Sequence, residues 1–180
     1  MRRRGTVTLI LGGARSGKSR LAEQIASKTK LVTFIATARP SDEELRRKIA
    51  RHRAERPTSW ETIEAPIGLA EAIASRNQRA GTIIIDCLTI YVHNVTNAHR
   101  GNLPKIEREF DRVCREIRSC RSSMIIVSNE VGCGVVPAFR SGRRYRDLLG
   151  RLNQKVAEIS DQVVLMVAGI PLTVKEPARS

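Results

Sequence analysis

An apolar run, Thr6-Val7-Thr8-Leu9-Ile10-Leu11, leads straight into Gly12-Gly13-Ala14-Arg15-Ser16-Gly17-Lys18-Ser19, a complete G-x-x-x-x-G-K-S phosphate-binding loop. The segment that follows has helical spacing, with Leu21, Ile25 and Ala26 on one face. Together they predict a strand, a loop and a helix in that order, the context in which the pattern carries its chemistry. The glycines let successive backbone N–H groups turn inward around a polyphosphate. Lys18 then reaches the β and γ oxygens, and the Ser19 hydroxyl ligates Mg²⁺. A nucleoside triphosphate is the expected ligand, and any fold proposed for the chain must place this unit first.

Four further β-rich blocks have strand length and no polar alternation: Leu31 to Ala36, Thr82 to Asp86, Met124 to Ser128 and Gln162 to Val167. Continuous apolar strands separated by helical stretches predict an α/β fold of the P-loop NTPase kind, a mostly parallel sheet with helices on both faces. Two of the helices are clear. Pro104 to Cys120 carries the stripe Ile106, Phe110, Val113, Cys114 and Ile117, and Tyr145 to Ile159 carries Leu148, Leu152, Val156 and Ile159. At 180 residues the chain is expected to form one domain, with residues 1–5 and about 172–180 as peripheral tails. No internal repeat or low-complexity linker interrupts it.

No apolar stretch approaches the roughly 20 residues of a membrane span, so no stable membrane insertion is expected. The start Met1-Arg2-Arg3-Arg4 and its apolar run lead into the phosphate loop instead of a cleavage site, which points to the cytoplasm. Cys87, Cys114, Cys120 and Cys133 show neither C-x-x-C spacing nor a histidine at metal-ligand distance, and read as buried or idle thiols. The net charge of +14 invites a nucleic-acid reading, yet aromatic residues make up only 3% and no recognition motif is present. Basic residues around a polyphosphate site account for the same charge, so nucleic acid is not expected as the main ligand.

Asp86 ends a buried run, the place from which P-loop proteins hold Mg²⁺, although a strand-end Asp also caps helices. Beside a phosphate loop, the metal reading is preferred. Glu130 in Asn129-Glu130-Val131-Gly132 either orients Mg²⁺, accepts a hydroxyl proton or caps a turn. Leu45, Ile49, His52 and Arg56 fall on one helical face, which predicts an inward-pointing imidazole. On spacing alone such a histidine is a core residue, but Arg51, Arg53 and Arg56 around it would keep the ring neutral and nucleophilic. His93 and His99 sit in what reads as a polar connection. Arg140, Arg143, Arg144 and Arg146 read as a basic loop entering a helix, solvated or holding an anion.

Taken in order, the phosphate loop, Ile35-Ala36-Thr37-Ala38, His52-Arg53-Ala54-Glu55-Arg56-Pro57 with Trp60 and Glu64, Asp86-Cys87-Leu88-Thr89, Ser128-Asn129-Glu130-Val131-Gly132, and Arg146-Asp147 with Gly150, Asn153 and Gln154 resemble one family. It is the bifunctional adenosylcobinamide kinase/adenosylcobinamide-phosphate guanylyltransferase family of cobalamin biosynthesis, and the match covers nearly the whole chain.

The resemblance implies two reactions. ATP or GTP phosphorylates the aminopropanol arm of adenosylcobinamide, and GMP is then transferred from GTP onto adenosylcobinamide phosphate. It implies a covalent guanylyl-histidine at His52, with Lys18 as the other catalytic residue. Nucleotide contacts carried over by position fall on Gly12, Gly13, Ala14, Arg15, Ser16, Gly17, Lys18, Ser19, Ala36, Thr37, Ala38, Arg53, Ala54, Glu55, Arg56, Glu64 and Asp86. Ser19 and Asp86 are the expected Mg²⁺ ligands, and a homotrimer is the expected assembly. Two readings compete: a P-loop kinase of another small alcohol or nucleotide, and a basic, NTP-regulated nucleic-acid-binding protein.

Overall fold

A computed structural model describes residues 4–39, 43–54, 56–77 and 81–177. Its centre is a seven-stranded sheet. The strands are β1 (Val7–Gly12), β2 (Val32–Ala36), β3 (Glu61–Glu64), β4 (Thr82–Asp86), β5 (Ser123–Val127), β6 (Gln162–Val167) and β7 (Ile170–Lys175). They lie in the order β3-β2-β4-β5-β1-β6-β7, with β1 to β6 parallel and β7 antiparallel to β6. The five expected strands are all present, each within about a residue of its expected bounds. β3 and β7 are additional.

The helices are α1 (Lys18–Ala26), α2 (Glu43–Ala54), α3 (Leu69–Ala74), α4 (Leu88–Ala98), α5 (Leu103–Ser119) and α6 (Arg140–Ile159). Because strand side chains alternate between faces, each central strand feeds two cores. Val7, Leu9, Ile83, Ile85, Met124 and Ile126 pack beneath α3, α4, α5 and α6, with Tyr91, Phe110 and Leu152 fully buried among them. On the other face Ile10, Phe34, Ile84, Ile125 and Val164 pack against Ala22 and Ala26 of α1. The expected stripe of α1 is shifted: Ala22 and Ala26 are buried, while Leu21 and Ile25 are half-buried. α5 begins on a capped turn, with Asn102 Oδ1 accepting from Lys105 N–H at 3.1 Å and Pro104 in the first turn.

Three expectations are corrected. His93 lies in α4 and His99 is its C-terminal cap. This segment is a helix because Leu88, Tyr91, Val92 and Val95 are buried at helical spacing, which outweighs its asparagines. The basic segment is likewise helical, since α6 starts at Arg140 and includes Arg143, Arg144 and Arg146. Residues 172–175, expected in a tail, belong to β7. At the other end, Arg4 is hydrogen-bonded to Asp161 Oδ1 at 2.6 Å and to Ile159 O at 3.1 Å. Among the described residues no helix is long and apolar enough to cross a membrane.

Candidate active site

With six strands parallel, every strand-to-helix turn leaves the same edge of the sheet, the edge at which ligands of open α/β sheets bind. Register fixes how these turns line up. Ile10 pairs with Val127, Val127 with Asp86, Asp86 with Ala36, and Ala36 with Glu64. The chain just past each strand is tied to its neighbour. Glu130 N–H donates to Gly12 O at 3.1 Å, Thr37 N–H to Asp86 O at 3.1 Å, and Ala65 N–H to Ala36 O at 2.8 Å. Strands spaced about 4.8 Å apart put Asp86 on the second strand from the phosphate loop, roughly 10 Å across the edge, with Glu130 on the strand between.

The phosphate loop spans the end of β1 and the first turn of α1. Gly12 has φ 149°, and a Cβ there would stand 2.6 Å from Met166 O, so only glycine fits. Gly17 caps α1 at φ 94°, and Arg15 is left-handed at φ 56°. The turn between β6 and β7 clasps the loop from outside, Gly169 N–H donating to Ser16 O at 3.2 Å. Lys18 is buried, its Nζ donating to Gly13 O at 2.5 Å and lying 3.5 Å from Ser16 Oγ. Burial lowers the pKa of its ammonium, against the opposing influence of Cys87 and Asp86.

Arg56 reaches the same place from the other side. Its Cζ stands 3.4 Å from the Phe34 ring centroid, and its buried Nε has no hydrogen-bond partner among the described residues. Burial lowers its pKa, opposed by Asp86 and Glu23 and reinforced by Arg53. Asp86 thus acts electrostatically on both Lys18 and Arg56. Arg53, near the end of α2, lies 3.9 Å from Glu64 at the end of β3. Arg56 follows the helix instead of continuing it, so the expected single face does not extend that far. Glu55 lies outside the described residues, as do the side chains of Leu45, Ile49, Arg51 and His52. The backbone places His52 in the last turn of α2.

A second layer holds these turns; sequence reasoning expected Thr37 as a nucleotide contact and gave Asn94, Ser128 and Asn153 no role of their own. Thr37 is fully buried, its hydroxyl donating to Cys87 O at 2.7 Å and accepting from Cys87 N–H at 2.8 Å. Asn94 Nδ2 donates to Thr37 O at 2.9 Å and Pro66 O at 3.0 Å, joining the turns after β2 and β3. Ser128 Oγ donates to Asn153 Oδ1 at 2.7 Å, and Asn153 Nδ2 donates to Asn129 O at 3.0 Å. Asn129 N–H donates to Thr89 Oγ1 at 2.9 Å, and Tyr145 Oη donates to Thr89 O at 3.1 Å. Asn94 and Asn153 are polar residues on otherwise apolar helix faces, the one sequence signal that could have found them.

The donor set suits Mg²⁺, a hard cation that takes oxygen ligands: the Ser19 hydroxyl begins α1 and the Asp86 carboxylate ends β4. Among the described residues no group of three His, Cys, Asp or Glu could form a protein-only metal site. His93 Nε2 and Asn97 Nδ2 are 3.0 Å apart on α4.

Solved structures with this architecture include the flagellar accessory protein FlaH of Methanocaldococcus jannaschii, at TM-score 0.50 and 14% identity over 97% of this chain and 80% of that one. A type III secretion ATPase aligns at TM-score 0.59 and 11% identity over 94% and 57%. At such identities they show the fold, that of P-loop NTPases. Sequence relatives are far more similar. The bifunctional adenosylcobalamin biosynthesis protein CobP of Pseudomonas aeruginosa is 44% identical over 93% of this chain and 96% of its own length. CobU of Escherichia coli is 35% identical over 93% and 98%. The family model for cobinamide kinase / cobinamide phosphate guanyltransferase matches residues 8–174. On a P-loop sheet whose strand-end turns carry the expected residues in order, that match establishes that the chain belongs to the cobinamide kinase / cobinamide phosphate guanyltransferase family.

Proposed function

We propose that the chain phosphorylates adenosylcobinamide with ATP or GTP and then transfers GMP from GTP to adenosylcobinamide phosphate, with His52 as the covalent carrier. The observation that carries this reading is the convergence of Lys18 of α1, Asp86 of β4 and Arg56, which follows α2, at one sheet edge in a chain of this family.

The order of the strand ends suggests how a nucleotide lies. Its phosphates take the loop Gly12 to Ser19, and the nucleoside extends across β4 and β2 toward Ala36, Thr37, Ala38 and Glu64. Lys18 and the loop N–H groups stabilise charge on the phosphates, the main demand of phosphoryl and nucleotidyl transfer. Ser19 and Asp86 would hold Mg²⁺, which supplies further neutralisation there. Arg56, stacked on Phe34, adds a cation that cannot swing into solvent without leaving the ring. For the kinase step, Glu130 is the carboxylate on the intervening strand end, its Oε1 accepting from Gly132 N–H at 2.6 Å. It is suited to take the proton of the acceptor hydroxyl.

In the second reaction a neutral His52 ring nitrogen attacks the α-phosphorus. A P–N bond forms as the bond to the β-phosphate oxygen breaks, and pyrophosphate leaves. An oxygen of adenosylcobinamide phosphate then attacks the same phosphorus, breaking the P–N bond and restoring the imidazole. One displacement between two anions becomes two easier ones. Arg53, Ala54 and Arg56 follow His52 closely, and the stacking of Arg56 on Phe34 anchors the chain just past α2 against β2.

We also infer a cytoplasmic homotrimer. Self-association is favoured by β7, in which Ile170, Leu172 and Val174 are all more than half exposed.

GTP labelled on its α-phosphate tests the reading in the absence of any corrinoid. The protein should retain label as an acid-labile, alkali-stable phosphoramidate, and label on the γ-phosphate should be lost. His52→Ala should abolish the adduct while adenosylcobinamide is still phosphorylated. Persistent α-label in the variant, or an active kinase that never takes label, refutes the guanylyl-histidine.

A further inference from the structure

We propose that the loop between β5 and α6, residues 131–139, is the seat of the corrin macrocycle, with Val135, Val136 and Phe139 as its apolar contact surface. The inference rests on the adenosylcobinamide reading above and locates the acceptor substrate within it.

The acceptor hydroxyl must meet the γ-phosphate at the loop Gly12 to Ser19, so the macrocycle bearing it must lie beside that loop. The segment leaves β5, the strand paired with β1, and Glu130 N–H is bonded to Gly12 O at 3.1 Å. α6 returns from this edge toward the start of β6, so Phe139, its N-terminal cap residue, also stands at the phosphate edge.

Val135 is 95% exposed, Val136 58% and Phe139 79%, three large apolar side chains within five residues. Leu31, Ile67 and Leu103 are exposed singly elsewhere; the apolar row of Val167, Ile170, Leu172 and Val174, which starts beside the turn that clasps the phosphate loop, is the surface assigned above to contacts between copies. Clustered apolar exposure beside a reaction centre marks a binding surface. A corrin, a broad methyl-bearing ring rimmed with carboxamides, offers complementary chemistry, and an aromatic ring is the residue type that most often anchors such contacts.

The loop is also held in shape without a ligand. Arg143 reaches back from α6 and donates to Pro137 O at 3.0 Å and Ala138 O at 2.6 Å, and Gly132 N–H is held by Glu130. A surface fixed in advance loses little freedom on binding. Three cavities lined by described residues, of about 130, 230 and 320 Å³, include no residue of the phosphate loop.

The test uses the full-length chain with Val135→Ser, Val136→Ser and Phe139→Ser combined. Serine at the position of Phe139 supplies the side-chain cap that α6 lacks, so the helix start should not weaken. Phosphorylation is assayed against adenosylcobinamide at saturating ATP, and then against ATP. The KM for adenosylcobinamide should rise at least tenfold, about 1.4 kcal/mol, while the KM for ATP and the corrinoid-free α-labelling by GTP stay within twofold. Sedimentation of both proteins should be unchanged.

A corrinoid KM within twofold of wild type overturns the proposal. So does a rise that accompanies a change in oligomeric state, which would assign the patch to contacts between copies. Wild-type protein that binds nucleotide but never phosphorylates adenosylcobinamide would overturn the functional reading and this inference with it, whereas an unaffected variant of an active enzyme overturns this inference alone.

Discussion

Asn153→Ala should loosen the turn that carries Glu130 and cost both stability and rate. The side chain is buried at 6% exposure, accepting from Ser128 Oγ at 2.7 Å and donating to Asn129 O at 3.0 Å. Truncation removes two hydrogen bonds and strands the hydroxyl of Ser128, a residue with no exposed surface. A buried polar group left without a partner costs about 1–3 kcal/mol, so the two together amount to roughly 2–4 kcal/mol. For a chain of this length each kcal/mol lowers Tm by about 2–4 °C, giving a fall of roughly 5–15 °C. The turn that would relax sits against Gly12 through Glu130 N–H, and a displacement of about 1 Å beside a reaction centre can cost on the order of a hundredfold in rate. Thermal unfolding and kcat for adenosylcobinamide phosphorylation, measured on the same preparations, report the two effects. Ser128→Ala and the double variant complete a cycle whose coupling should reach at least about 1 kcal/mol. Additive single effects, or a Tm within about 2 °C of wild type, would refute the claim that this buried pair holds the turn.

Two other outcomes are expected. Asp86→Asn should raise the Mg²⁺ concentration needed for half-maximal turnover and lower kcat by roughly a hundredfold, with Tm little changed; an unaltered Mg²⁺ response and a large loss of Tm would make Asp86 a structural cap. Burial pushes the Cys87 thiol up to about 11 and Cys114 likewise to about 11. At pH 8 only about one Cys87 in a thousand is thiolate, so iodoacetamide should modify exposed Cys133 first, with Cys87 labelling increasing as pH rises toward 11. Mass-mapped labelling of Cys87 as fast as Cys133 at pH 8 would contradict that burial.

The five strands legible in the sequence are the central ones, where burial on both faces demands an unbroken apolar run. β3 escaped notice because Glu61 and Glu64 give a sheet margin the look of a surface turn, and β7 because its six residues are all exposed and include Pro171. α4 is built from weak helix formers, among them Thr89, Ile90, Val92, Val95 and Thr96, and packing overrides that preference. Ser141 and Gly142 disguised the first turn of α6 in the same way. In the site, the phosphate loop and the strand-end position of Asp86 could be read because their spacing is local. The stacking of Arg56 on Phe34 and the tie between Ser128 and Asn153 could not, because each joins residues more than twenty positions apart.

β7 closes one margin of the sheet with both of its faces uncovered, and its turn with β6 is bonded to the phosphate loop. If copies cover one another there, cohesion of that margin becomes subject to mass action. Dilution would then weaken the clasp on Ser16 before it unfolded the central strands, and a concentrated preparation would hold its phosphate loop more firmly than a dilute one of identical sequence.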